Sequence, residues 1–248
     1  MNFVHTLEHH LLDHVYSRFA VGALSLPFSK HLLMMWLSAG AAVLILVLAG
    51  QMAQRGKRNR FVYFIESLTV FVRDEIVIPN IGEEGRPYLP YFLTIFFFIL
   101  FMNLIGMVPG SATATGNISV TASLALCTLF VINVAGMRAH GVAGYVKSLV
   151  PHGMPVWLLP LMYPIELLGM LTKSFALSIR LFANMIAGHI VIFAFLALIF
   201  LFGKLWVAPM SVAAALGINL LELFVAFLQA YIFTLLSAIF VGSAIHSH

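Results

Sequence analysis

The sequence predicts an all-α, polytopic membrane protein of about five transmembrane helices, the last two long segments forming a helical hairpin. Three observations predict it. Of the 248 residues, 62% are hydrophobic and only 9% charged, with a mean hydropathy of +1.03, and no soluble domain has interior enough to hide so much apolar surface. Apolar stretches of about twenty residues, enough to cross a ~30 Å hydrocarbon core at ~1.5 Å per residue, alternate with short basic or turn-rich loops. Formal charge vanishes between Arg86 and Arg138, and from Pro155 to Phe202 it is confined to Glu166, Lys173 and Arg180. The net charge of +4 carries no basic stripe interleaved with aromatics, so no nucleic-acid partner is expected and the cations read as topology markers. A single cysteine, Cys127, excludes a disulfide framework and a thiolate metal cage, and is expected to be a small buried apolar residue. No cofactor and no metal is expected, and the surrounding partner is membrane lipid.

Residues 1–30 read as an extramembrane or interfacial segment ahead of a single membrane domain, 31–248. They lack a basic region followed by an apolar core, so they are expected to be retained and not cleaved as a signal. His5, His9, His10 and His14 fall at helical spacings around Glu8 and Asp13. With no HExxH sequence they predict a solvated or interfacial helix and not a zinc site. The first span is HLLMMWLSAGAAVLILVLAG, residues 31–50. The loop after it holds Arg55, Lys57, Arg58 and Arg60 without an acid, which marks the cytoplasmic side and puts the N-terminus outside. Residues 61–78 mix apolar residues with Glu66, Arg73, Asp74 and Glu75, the pattern of an interfacial helix or a short re-entrant element, too charged to span alone. The turn-rich VPGSATATGN, 108–117, divides the uncharged run into spans 88–107 and 118–137, and Arg138 and Lys147 return the chain to the cytoplasm. Two longer segments, 156–202 and 207–245, flank the turn GKLWVAP. As continuous helices they would reach about 70 and about 58 Å. They must therefore be broken, or tilted by about 60° or more where ordinary spans tilt by about 20°. The C-terminus then lies in the cytoplasm.

Within the first of these, residues 178–189 read SIRLFANMIAGH. A charge there costs roughly 2.5–3.5 kcal/mol on insertion scales, so Arg180 needs a reason. Glu166, Lys173 and Arg180 recur every seventh residue, nearly two helical turns, and Asn184 follows Arg180 on the same face. His189 lies almost opposite. Folding the two long segments about a turn near 205–206 sets His189 against Glu222, Arg180 against Gln229 and Glu166 against His246. Arg180 and His189 cannot both point squarely at the second helix, so the length of the arginine or local curvature must reconcile them. Polar groups persist in the membrane when they pair or line a water path. His189 titrates near neutrality, Glu222 can do so when buried, and Arg180 stays charged, a fixed cation beside a moving carboxylate. The pattern points to a proton path. A secondary ion transporter would instead show inverted repeats, of which none is visible. A haem-binding subunit would need paired histidines within the spans, and a serine protease a GxSxG-type motif, absent here.

These residues carry a resemblance. SFALSIRLFANMIAGH (174–189), PIELLGMLTKS (164–174), NLLELFVAFLQAYIFTLL (219–236), FFFILFMNLIGMVPG (96–110) and TGNISVTASLAL (115–126) are similar to subunit a of the rotary F-type ATP synthase, from about residue 61 onward. The resemblance implies the stator part of a proton channel in a bacterial cell inner membrane, with a long, strongly tilted C-terminal helical hairpin that would resolve the length of the last two segments. Its partners would be a ring of c subunits bearing intramembrane carboxylates, subunit b of the peripheral stalk and the rest of the synthase. Arg180 would be the essential arginine facing the ring, with Asn184, Gln229 and Lys173 supporting it. His189 and Glu222 would line the outer half-channel, where family members usually carry the acid and the histidine in exchanged places, and Glu166 the inner one. No nucleotide-binding loop is present, so the chain is not expected to be an enzyme in itself.

Overall fold

The computed structural model describes residues 15–21, 24–57, 59–108, 113–148, 158–203 and 206–246. Apart from one small hairpin at its start, the described chain is built from helices, as long apolar runs that must satisfy their own backbone groups in lipid require. Strands β1 (Val15–Val21) and β2 (Leu24–Ser29) pair antiparallel from Val15/Ser29 to Val21/Leu24. This hairpin lies within the stretch 1–30 expected as an extramembrane or interfacial segment; VYSRFAV mixes aromatic and β-branched residues that suit a strand. The four histidines at 5, 9, 10 and 14 lie outside the described residues.

The first long helix, α1, runs Lys30–Gln54. After the basic loop comes α2 (Arg60–Phe71), started by Asn59, whose side-chain oxygen accepts a hydrogen bond from Val62 N at 2.9 Å. It runs into a π-turn, Val72–Val77, and a short α3, Ile78–Ile81. This composite fills the predicted interfacial stretch. It buries Val62, Ile65, Val72, Ile76 and Val77, and leaves Arg73, Asp74 and Glu75 exposed together with Phe61, Tyr63, Phe64 and Val70. Arg73 bonds Asp74 through Nε and Nη2 at 2.6 and 3.0 Å, and this hydrogen bonding holds the Asp74 carboxyl below its usual range.

A 3-10 turn, Glu83–Tyr88, leads into α4 (Leu89–Gly106). After the 3-10 turn Ala114–Gly116, α5 covers Ile118–Ser148 with a break at Gly141, whose φ of 71° suits glycine. Beyond the break the chain folds back, so that the Tyr145 ring lies against Gly136 where any Cβ would collide with it. The last helices, α6 (Leu159–Phe202) and α7 (Val207–Ile245), are continuous. Breaks are thereby excluded as the answer to their length. At ~1.5 Å per residue, the 44 residues of α6 extend about 66 Å, which fits a ~30 Å core only at a steep incline. Five helices among the described residues are long and apolar enough to cross a membrane, near the five predicted spans.

The chain divides into two compact units. The first comprises Met1–Ile45, Phe97–Ile118 and Leu181–Ala230; the second comprises Leu46–Phe96, Ser119–Arg180 and Tyr231–His248. In the second, the end of α7 is tied down: His140 Nε2 lies 2.8 Å from the Ile245 carbonyl oxygen and His246 Nε2 lies 2.9 Å from that of Ile81. Cys127, expected to be buried, is exposed on α5 beside Leu126 and Phe130. An apolar neighbourhood in sequence does not distinguish a protein interior from a face turned to lipid.

Candidate functional site

The first unit gathers buried polar groups in a surrounding of Phe97, Ile99, Met102, Leu181 and Met185. Its centre is His189 on α6 and Glu222 on α7, with Nδ1 and Oε1 2.8 Å apart; the glutamate side chain is 4% exposed and the histidine 25%. Nδ1 also lies 3.0 Å from the Met185 carbonyl oxygen. It has one hydrogen for two acceptors, and directed at Met185 it leaves Glu222 Oε1 without a hydrogen bond of its own. Gly188 makes the approach possible, since a Cβ there would stand 2.6 Å from Oε1. One turn before His189, Asn184 donates from Nδ2 to Gln229 Oε1 at 2.9 Å. Nearby, Thr115 donates to Asn103 Oδ1 at 2.8 Å, and Asn103 Nδ2 reaches the Ala226 carbonyl oxygen at 3.4 Å. These bonds run between separate elements, so each fixes a rotamer that apolar packing alone would leave free.

The second unit carries a separate polar group. Glu166 on α6 is half-buried, and Lys173 is exposed with its Nζ 5.5 Å from the centre of the Phe240 ring on α7. The Tyr145 hydroxyl donates to Asn133 Oδ1 at 3.1 Å and sits 3.7 Å from Met170 Sδ, one turn beyond Glu166. Thr121 and Ser178 share a hydrogen bond of 3.1 Å. Arg180 is exposed in the interior of α6, with no hydrogen bond or ion pair to any described residue. In hydrocarbon an exposed, unpaired guanidinium is costly.

The family described as ATP synthase A chain matches residues 32–242. The chain belongs to that family. It is 53% identical over 236 residues to the ATP synthase subunit a of Myxococcus xanthus (strain DK1622), covering 92% of this chain and 77% of the relative. Identity to the ATP synthase subunit a of Anaeromyxobacter dehalogenans (strain 2CP-C) is 50%, over 92% of this chain and 60% of that protein. For the ATP synthase subunit a of Chloroherpeton thalassium it is 48%, over 91% and 68%. The relatives are longer than the chain. The resemblance drawn from the arginine motif is borne out, and the transporter alternative gives way to it.

Of the three pairings expected from the hairpin register, His189 with Glu222 is present. Gln229 is held by Asn184 in place of Arg180, and His246 by the Ile81 carbonyl in place of Glu166. Asn184 is the member of its face that reaches Gln229, whereas Arg180 is turned outward, which removes the conflict between Arg180 and His189. His31, Asn103, Thr113 and Thr115 went unremarked in the sequence although all are buried. A lone polar residue in an apolar run was the available signal for Asn103; the others sit at a helix start or in a turn, where polar residues carry no information.

Proposed function

We propose that the chain is the proton-channel stator subunit of an ATP synthase, non-catalytic in itself, and that it offers two offset half-channels to the carboxylates of a c-ring. The observation that carries this reading is the buried His189–Glu222 pair on two continuous membrane helices, on the same helix as an outward-facing Arg180. A proton from the outer side reaches His189 and Glu222 and neutralises a ring carboxylate, which can then turn into lipid. After nearly a full rotation the site meets the inner half-channel near Glu166 and loses its proton. Arg180 favours the ionised form of the carboxylate facing it, with Asn184, Gln229 and Lys173 shaping its surroundings. One charge crossing 100 mV is worth about 2.3 kcal/mol, so several protons must contribute to each nucleotide made. The N-terminus lies outside and the C-terminus in the cytoplasm of a bacterial inner membrane, with subunit b and the remaining synthase as partners.

The test is exchange. His189→Ala and Glu222→Ala should each cut proton-driven ATP synthesis strongly, roughly tenfold or more as expected for loss of a proton-transfer group. The double variant His189→Glu/Glu222→His should retain more activity than either, since it keeps one imidazole and one carboxylate facing each other. Normal pumping by both single variants would remove the outer half-channel from these residues.

A further inference from the structure

Two buried groups of the first unit have no part in the mechanism above: His31 at the start of α1, 6% exposed, and Thr113, 7% exposed. Their contacts are specific. His31 Nδ1 lies 3.0 Å from the Thr113 carbonyl oxygen. The Thr113 hydroxyl lies 3.0 Å from His189 Nε2 and 3.2 Å from the Gly106 carbonyl oxygen. A Cβ on Gly106 would stand 2.6 Å from that hydroxyl, so the glycine is what lets the threonine reach the imidazole. Glu222 meets Nδ1 of the same ring and Thr113 meets Nε2.

We propose that the Thr113 hydroxyl is a proton relay on the side of His189 away from Glu222, and that His31 is the residue that positions it. The inference rests on the half-channel reading and extends it to the first helix and the turn after α4. What each atom can do decides the chemistry. A carbonyl oxygen only accepts, so His31 Nδ1 carries a hydrogen, and it keeps that hydrogen whether the ring is neutral or charged. Thr113 is therefore held in either state. A hydroxyl donates one hydrogen and accepts through its lone pairs. With its hydrogen on the Gly106 carbonyl, Oγ1 accepts from a protonated Nε2; rotated about Cβ–Oγ1, it donates to a bare one. The inward step balances. A hydronium ion gives a proton to Oγ1 and becomes water, the original Oγ1–H bond breaks, and its proton binds the Nε2 lone pair. The result is an imidazolium beside the Glu222 carboxylate.

The test uses the intact synthase in membrane vesicles, reading proton-driven ATP synthesis and, after removal of the catalytic head, passive proton flow. Thr113→Val keeps the shape and removes the hydroxyl; both readouts should fall roughly tenfold or more, while Thr113→Ser stays within about twofold of wild type. His31→Ala should lower both, and His31→Asn, whose amide donates from the place of Nδ1, should restore them. If Thr113→Val does not assemble, Thr113→Ala takes its place against Thr113→Ser. Failure of Thr113→Ser to conduct would overturn the relay, because the hydroxyl would not be the part that matters. Wild-type flow in Thr113→Val beside a blocked His189→Ala would also overturn it and leave the half-channel standing. Wild-type flow in both would remove the half-channel reading, and the relay with it.

Discussion

Gly188 contributes to the site by having no side chain. Glu222 Oε1 occupies the place where a Cβ on that residue would crowd it, 2.6 Å away, and this lets the carboxylate stand 2.8 Å from His189 Nδ1. The carboxylate is the far end of a flexible side chain, so it can retreat from an added methyl at little structural cost. Gly188→Ala is therefore expected to assemble normally, with a melting temperature near wild type, yet to lose most proton-driven ATP synthesis. A variant that assembles and synthesises ATP at the wild-type rate would show that the short His189–Glu222 contact is dispensable. At this scale the sequence was informative where chemistry is rare. A histidine and a glutamate in apolar runs, matched in depth by one hairpin register, found each other. It was uninformative where chemistry is common: nothing in the letters distinguished Thr113 from its turn neighbours, or showed that Gln229 bonds Asn184 and not Arg180.

Spans are the most legible elements, because an apolar run of the right length has few alternatives in a chain this hydrophobic. The predicted 207–245 coincides with α7, and the predicted 61–78 resolves into α2, a π-turn and α3. Less legible were features that depend on contact between distant elements. The fold-back after Gly141 depends on room for Tyr145 against Gly136, and the end of α7 depends on Gly242, where a Cβ would run into the Asn80 backbone carbonyl oxygen. These two glycines differ from Gly188 in kind. A backbone carbonyl or a packed ring cannot swing aside, so Gly242→Ala should loosen the docking of α7 on α3 at a cost of about 1–3 kcal/mol, the usual range for overpacking. The check is thermal stability and protease sensitivity of the assembled complex, with Gly169→Ala as control, since nothing lies within 4 Å of a Cβ there. Equal stability of the two variants would mean that the close approach at Asn80 is not a constraint.

At the scale of the whole molecule the question is why a chain would keep an unpaired arginine on the outside of a membrane helix. Orientation comes first: the cations at 55–60, with Arg138 and Lys147, set the expectation that residue 57 and the C-terminus share the cytoplasmic side. Labelling of single cysteines placed at 57 and 246 should report one common side, and opposite sides would rule out the five-span topology. On that frame Arg180 lies on α6 between Glu166 and His189, exposed and without a partner among the described residues. On the proposed function, a permanent cation there would draw a ring carboxylate into its charged form and bar a direct leak between the two routes. Lysine keeps the charge, but its compact ammonium lacks the rigid fork of the guanidinium and loses its proton more readily when desolvated. Arg180→Lys should therefore abolish ATP-coupled pumping although the complex assembles. Arg180→Ala should do so too and, with the barrier gone, allow passive proton flow. The distinguishing measurement is dissipation of a pH gradient in vesicles stripped of the catalytic head: slow for Arg180→Lys, fast for Arg180→Ala. Coupled synthesis at the wild-type rate in Arg180→Ala would return the arginine to a structural role, and with it the separation of the two half-channels would need another cause.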